Sequence, residues 1–131
     1  MLERVMTMPA RKQDWEISPM PAARAPVRIE RAYSDAEFAS IAEGVIPREM
    51  EDKWFIYHES PWLYLHRSWT GYCVYAVRFE RRGDEHHVVE AWVSRDPQQY
   101  TGNDDDAAEE AELLDELLDH LAGREVPPSE G

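Results

Sequence analysis

Between Met50 and Ser94 the chain reads KWFIYH (53–58), WLYLHRSW (62–69), YCVYAVRF (72–79) and HHVVEAWVS (86–94), separated by Ser60-Pro61, Thr70-Gly71 and Arg82-Gly83-Asp84. Each run is rich in aromatic and β-branched residues, which suit a pleated surface, and each gap holds residues that make tight turns. Four of the five tryptophans fall in this stretch. The runs predict a four-stranded antiparallel meander, the centre of an α+β domain.

Turns with an even number of residues would sort the side chains onto two faces. One face collects Trp54, Ile56, Leu63, Leu65, Val74, Ala76, Val89, Ala91 and Val93. This mostly aliphatic set is the expected core. The other collects Phe55, Tyr57, Trp62, Tyr64, His66, Cys73, Tyr75, Val77, Phe79 and Trp92, with Lys53, Ser68 and Glu90 among them. In this register Lys53 lies opposite Ser68 and Phe55 opposite His66.

Outward from the sheet, Ser34-Asp35-Ala36-Glu37 reads as a capping box that opens a helix carrying Phe38, Ile41, Ala42 and Val45. Gly44 and Pro47 end it. A second helix is expected after Asn103 or Asp104, with Asp104-Asp105-Asp106 in its first turn and Leu113, Leu114, Leu117, Leu118 and Leu121 as one apolar stripe, up to Gly123. Its acidic residues read as a solvated face. Both helices should pack on the aliphatic face. Val27–Ala32 is a candidate fifth strand. Residues 1–26 hold four prolines and read as a flexible arm, in which Trp15, Ile17 and Met20 can dock on the domain; 27–123 form the single domain and 124–131 a disordered tail.

The chain of 131 residues carries 14 Lys and Arg against 27 Asp and Glu, a net charge of -13. Such a balance repels phosphate backbones and argues against duplex nucleic acid or an anionic membrane as partner. Cys73 stands alone, so no internal disulfide forms, and no stretch reaches the ~20 apolar residues of a spanning helix. A cytoplasmic protein is expected. Its 12 Arg to 2 Lys and its many Ala fit a bacterial, GC-rich gene.

Two helices cover one face of such a sheet, so the aromatic face needs the arm, a ligand or a second copy of the chain in a homodimer. Lys53, Arg67, Ser68 and Thr70 offer charged and hydroxyl donors to one anion, while Phe55, Tyr57, Tyr64, His66 and Tyr75 offer rings for stacking. This combination suits a phosphate-bearing, nucleotide-like ligand. His66 with Cys73 resembles a thiol–imidazole pair, and the acidic helix offers a surface to a basic protein partner. The five histidines show no metal-ligand spacing, and there is no Gly-x-Ser-x-Gly, glycine-rich phosphate loop or Cys-x-x-Cys, so no metal, cofactor or catalytic residue is assigned.

The segments MEDKWFIY (50–57) and LHRSWTG (65–71) resemble a small, uncharacterised bacterial domain associated with proteins of ADP-ribose metabolism, the ADP-ribosylglycohydrolases and macrodomains. The resemblance implies an accessory binding module with Lys53, His66, Arg67, Ser68 and Thr70 as the motif's polar positions. The leading expectation is thus a non-catalytic module whose aromatic face takes an ADP-ribose-type ligand. The alternatives are an antitoxin- or immunity-like acidic partner module and, third, a small Cys/His hydrolase.

Overall fold

The computed structural model describes residues 10–48, 52–96 and 107–123. Strands β1 (Arg24–Pro26) and β2 (Ala32–Ser34) precede helix α1 (Asp35–Glu43); β3 (Trp54–Glu59), β4 (Trp62–Arg67), β5 (Cys73–Arg82) and β6 (Glu85–Ser94) follow, then helix α2 (Ala107–Leu121). The six strands form one open antiparallel sheet in the order β1-β6-β5-β4-β3, with β2 also on β6. The expected α+β architecture is present.

The β3–β4 register is the expected one: Phe55 faces His66, and the Ser68 N–H donates to the Lys53 carbonyl at 2.9 Å. β4 ends at Arg67 rather than Trp69, because the Gly71 N–H donates to the Arg67 carbonyl and closes a wider turn than Thr70-Gly71 alone. The expected strand at Val27–Ala32 is replaced by two short strands on β6, and residues 27–31 arch between them.

Two bulges change which side chains share a face. Leu65 pairs with Tyr75 but His66 with Cys73, so Val74 is an extra residue in β5. One inserted residue reverses the alternation beyond it. Tyr75, Val77 and Phe79, expected beside the aromatic rings, therefore lie in the core beneath the helices, and Ala76 takes their place on the other face. Without the bulge Arg78 would be driven under the helices, where an unpaired charge is costly. A second bulge makes Val89 the extra residue of β6 and brings Val88, not Val89, against the core.

Both helices cover this face. The capping box forms as expected, with Glu37 N–H donating to Ser34 Oγ at 3.1 Å and Ser34 N–H to Glu37 Oε1 at 3.0 Å. Ile41, Leu114 and Leu118 are fully buried among the sheet's aliphatic residues, and each contributes about 1.5–3 kcal/mol relative to exposure. Leu113 faces outward, so the apolar stripe of α2 is narrower than expected. The proposed cap and first turn at Asn103–Asp106 lie outside the described residues.

The acidic face of α2 is only partly solvated. Glu110 is buried in a two-pronged pair with Arg95, at 2.7 and 3.0 Å. Asp119 accepts from Arg31 and from the Tyr33 hydroxyl, and Asp115 lies 3.5 Å from Arg31. These carboxylates fasten the helix to the sheet, while Glu109, Glu112 and Glu116 remain exposed.

Candidate functional site

The sheet's second face carries a row of rings because β3 and β4 alternate in step. Phe55 opposite His66 and Tyr57 opposite Tyr64 are direct cross-strand pairs. Tyr57 stacks on His66 at 5.7 Å and meets Tyr64 at 5.2 Å, and Trp62 stacks on Tyr64 at 6.2 Å. Trp92 of β6 joins them across Ala76, its pairing partner on β5.

The N-terminal segment crosses this face. Trp15 stacks on Phe55 at 5.8 Å, with the planes 17° apart, and its Nε1–H donates to the Ser68 carbonyl at 2.8 Å. Ser18 N–H donates to the Gly71 carbonyl at 2.9 Å. The crossing is close enough to demand glycine: Gly71 has φ +76°, and a Cβ there would stand 2.3 Å from the Glu16 carbonyl oxygen. The segment seals Phe55 completely but leaves the other end of the row open beneath Ile17–Met20.

That opening is a cavity of about 430 Å³, within the range of small-molecule sites. Tyr57, Trp62, Tyr64 and Trp92 wall it, His66 and Ala76 belong to its sheet side, and the exposed Lys12, Arg24 and Glu59 complete its lining. The Arg24 guanidinium lies 5.0 Å over the Trp92 ring, and that indole donates to Glu90 at 2.7 Å. Burial, aided by the Glu59 charge, pushes the Tyr57 phenol up to about 12, and burial likewise raises Tyr64. Both phenols stay protonated at neutral pH.

His66 is the most enclosed polar group here, with 1% of its surface exposed. Its Nδ1 lies 2.9 Å from the Gly71 carbonyl, and its Nε2 is buried without a hydrogen-bond partner. Burial lowers the ring's pKa, against a smaller upward pull from the Gly71 carbonyl. Cys73 lies across the ladder from His66, but burial pushes its thiol up to about 12, and its Sγ–H donates to the Tyr75 carbonyl at 3.4 Å. A thiol held protonated is not an activated nucleophile.

Of the residues expected to bind ligand, Tyr57, Tyr64 and His66 line the cavity, and Phe55 lies beside them under Trp15. The expected anion donors lie elsewhere. Ser68 Oγ donates to the Asp52 carbonyl at 2.7 Å, Thr70 Oγ1 accepts from Tyr72 N–H, and Arg67 stacks 4.7 Å over Trp54. Lys53 is exposed at the start of β3 and is no part of the cavity lining. Tyr75 faces the core, where its hydroxyl donates to the Glu110 carbonyl. The cations that do line the cavity, Lys12 and Arg24, come from the segment read as a flexible arm, and no local pattern marks them. Trp62 and Trp92 were placeable from their alternation alone. Compared with protein-family models, curated proteins and solved structures, the chain matches none of them.

Proposed function

We propose that this chain is a non-catalytic binding module whose cavity takes a planar, phosphate-bearing ligand of the nucleotide or ADP-ribose type. The observation that carries the reading is the cavity's lining: four large rings for stacking, with two cations against the one carboxylate of Glu59, in a chain whose net charge is -13. Cations gathered at an aromatic cavity of an otherwise acidic protein favour an anionic ligand with a flat ring. Arg24, already stacked on Trp92, presents donors in a rigid fork that suits a phosphate.

Calorimetric titration with AMP, ADP-ribose and inorganic phosphate tests the proposal. AMP or ADP-ribose should bind more tightly than phosphate alone. Trp62→Ala and Arg24→Gln should weaken that binding, and Lys53→Ala, outside the cavity, should leave it unchanged. Unaltered affinity in both cavity variants would place the ligand elsewhere, and no heat with any of the three compounds would sink the nucleotide reading.

A further inference from the structure

Granted the nucleotide reading, on which this inference rests, the charge at each end of the cavity decides which base the ligand carries. Tyr57, Tyr64, Ala76 and Trp92 are successive register partners on β3, β4, β5 and β6. Three strand spacings, roughly 14 Å, therefore separate the backbones at the two ends of this row. At the β6 end the Arg24 guanidinium lies 5.0 Å over Trp92. At the β3 end stands Glu59, an exposed residue of the cavity lining that alternation puts on the same face as Phe55 and Tyr57. Its charge acts on both the Tyr57 and Tyr64 phenols, which sets the carboxylate beside the rings. Among the described residues neither Lys12 nor any other cation forms an ion pair with it. Trp62 is directly opposite Glu59 across the β3–β4 hairpin. Such pairs hold their Cβ atoms about 4.5–5.5 Å apart, so a base resting on the Trp62 ring has the carboxylate beside its edge.

We infer that Glu59 reads the base, and that the preferred ligand is a guanine nucleotide whose phosphate lies with Arg24. A phosphate at the Glu59 end would meet a like charge, so the anion goes to Arg24 and the base to the far end. A carboxylate only accepts, through two oxygens side by side. Guanine matches it with two adjacent donors, the N1–H and the 2-amino group, in one two-pronged contact. Adenine sets its amino group beside the N1 lone pair, cytosine does the same with N3, and uracil has a single N–H between two carbonyls. Each of these three brings an acceptor against the carboxylate.

The test is calorimetric titration of the intact protein with GMP, IMP and AMP. GMP should bind about tenfold more tightly than either analogue, since IMP lacks the 2-amino group and AMP turns a lone pair towards Glu59. Glu59→Gln supplies a second readout. An amide offers one acceptor and one donor, the pattern that the amino group and N1 of adenine meet, so the variant should bind AMP more tightly than GMP. Glu59 is exposed at the end of β3, and its substitution leaves the core untouched. Equal binding of GMP and either analogue, or a GMP-to-AMP ratio unchanged by Glu59→Gln, would overturn the inference and leave the nucleotide reading standing. Binding of none of the three, nor of ADP-ribose, would remove both.

Discussion

Replacing Gly71 with alanine should cost far more than a turn glycine usually does, because two separate penalties meet at this buried position. The first is local: at φ +76° an alanine adopts a left-handed conformation, at about 1–2 kcal/mol. The second is tertiary. The new methyl would stand 2.3 Å from the Glu16 carbonyl oxygen and 3.1 Å from Ile17 Cα, and these backbone atoms yield only if the crossing segment lifts. Lifting it strains or breaks the Ser18 to Gly71 and Trp15 to Ser68 hydrogen bonds and the Trp15–Phe55 stack. Those attachments are together worth about 2–4 kcal/mol. Gly83 is the matched control, with φ +65° and nothing within 4 Å of its would-be Cβ, so Gly83→Ala should carry only the first penalty. Urea unfolding of the two variants should therefore differ by about 2–4 kcal/mol, with Gly71→Ala the weaker. Combined with Trp15→Ala, the Gly71→Ala cost should shrink, since both changes remove the same contacts. Equal midpoints for Gly71→Ala and Gly83→Ala would refute the account of the crossing.

Two further outcomes follow from buried ionisable groups. Arg95→Met leaves the Glu110 carboxylate buried without its two-pronged partner and should cost about 3–5 kcal/mol in urea unfolding, much of it regained in Arg95→Met with Glu110→Met; a double variant no more stable than the single one would contradict this. Alkaline pH should destabilise the fold, because the folded-state values of Cys73 and Tyr57 are raised from 9.0 and 10.0 to about 12, so the unfolded chain loses those protons first. Their contribution is full below about pH 9 and declines as pH rises towards 12, with Cys73 alone giving a slope of roughly 1.4 kcal/mol per pH unit. Unfolding at pH 7 and pH 10.5 measures it, and an unchanged slope in Cys73→Ala with Tyr57→Phe would exclude these groups as the cause.

The sheet and its first helix were legible because their signals are local. Alternation in β3 and β4 placed Tyr57, Tyr64 and His66 on one face, and Ser34 with Glu37 marked the start of α1. Parity failed at Val74, since a bulge is chosen by what the whole sheet must bury and here by keeping Arg78 out of the core. The same limit applies to Lys53, Ser68 and Thr70. Their spacing does not show that the Ser68 hydroxyl donates across the hairpin to the Asp52 carbonyl or that the Thr70 hydroxyl accepts from Tyr72 N–H. The acidic run of α2 likewise gave no hint that Glu110 and Asp119 point inward, because their partners Arg95 and Arg31 are distant in the chain. Lys12 reaches the cavity through the docking of Trp15 and Ser18, and Arg24 through the pairing of β1 with β6, contacts between residues distant in the chain.

A sheet is also defined by how it ends. On one side β6 is closed by two three-residue strands with an arch between them, and β1 finishes on Pro26, which has no N–H to offer. On the other side Val45 takes both backbone groups of Ile56 in the middle of β3, at 2.9 Å each. Among the described residues, neither margin presents a long, straight row of free amides and carbonyls onto which another chain could add a strand. Such blunted margins disfavour edge-to-edge growth into fibrils, even though the segments 53–58 and 72–77 are apolar enough to aggregate if they were bared.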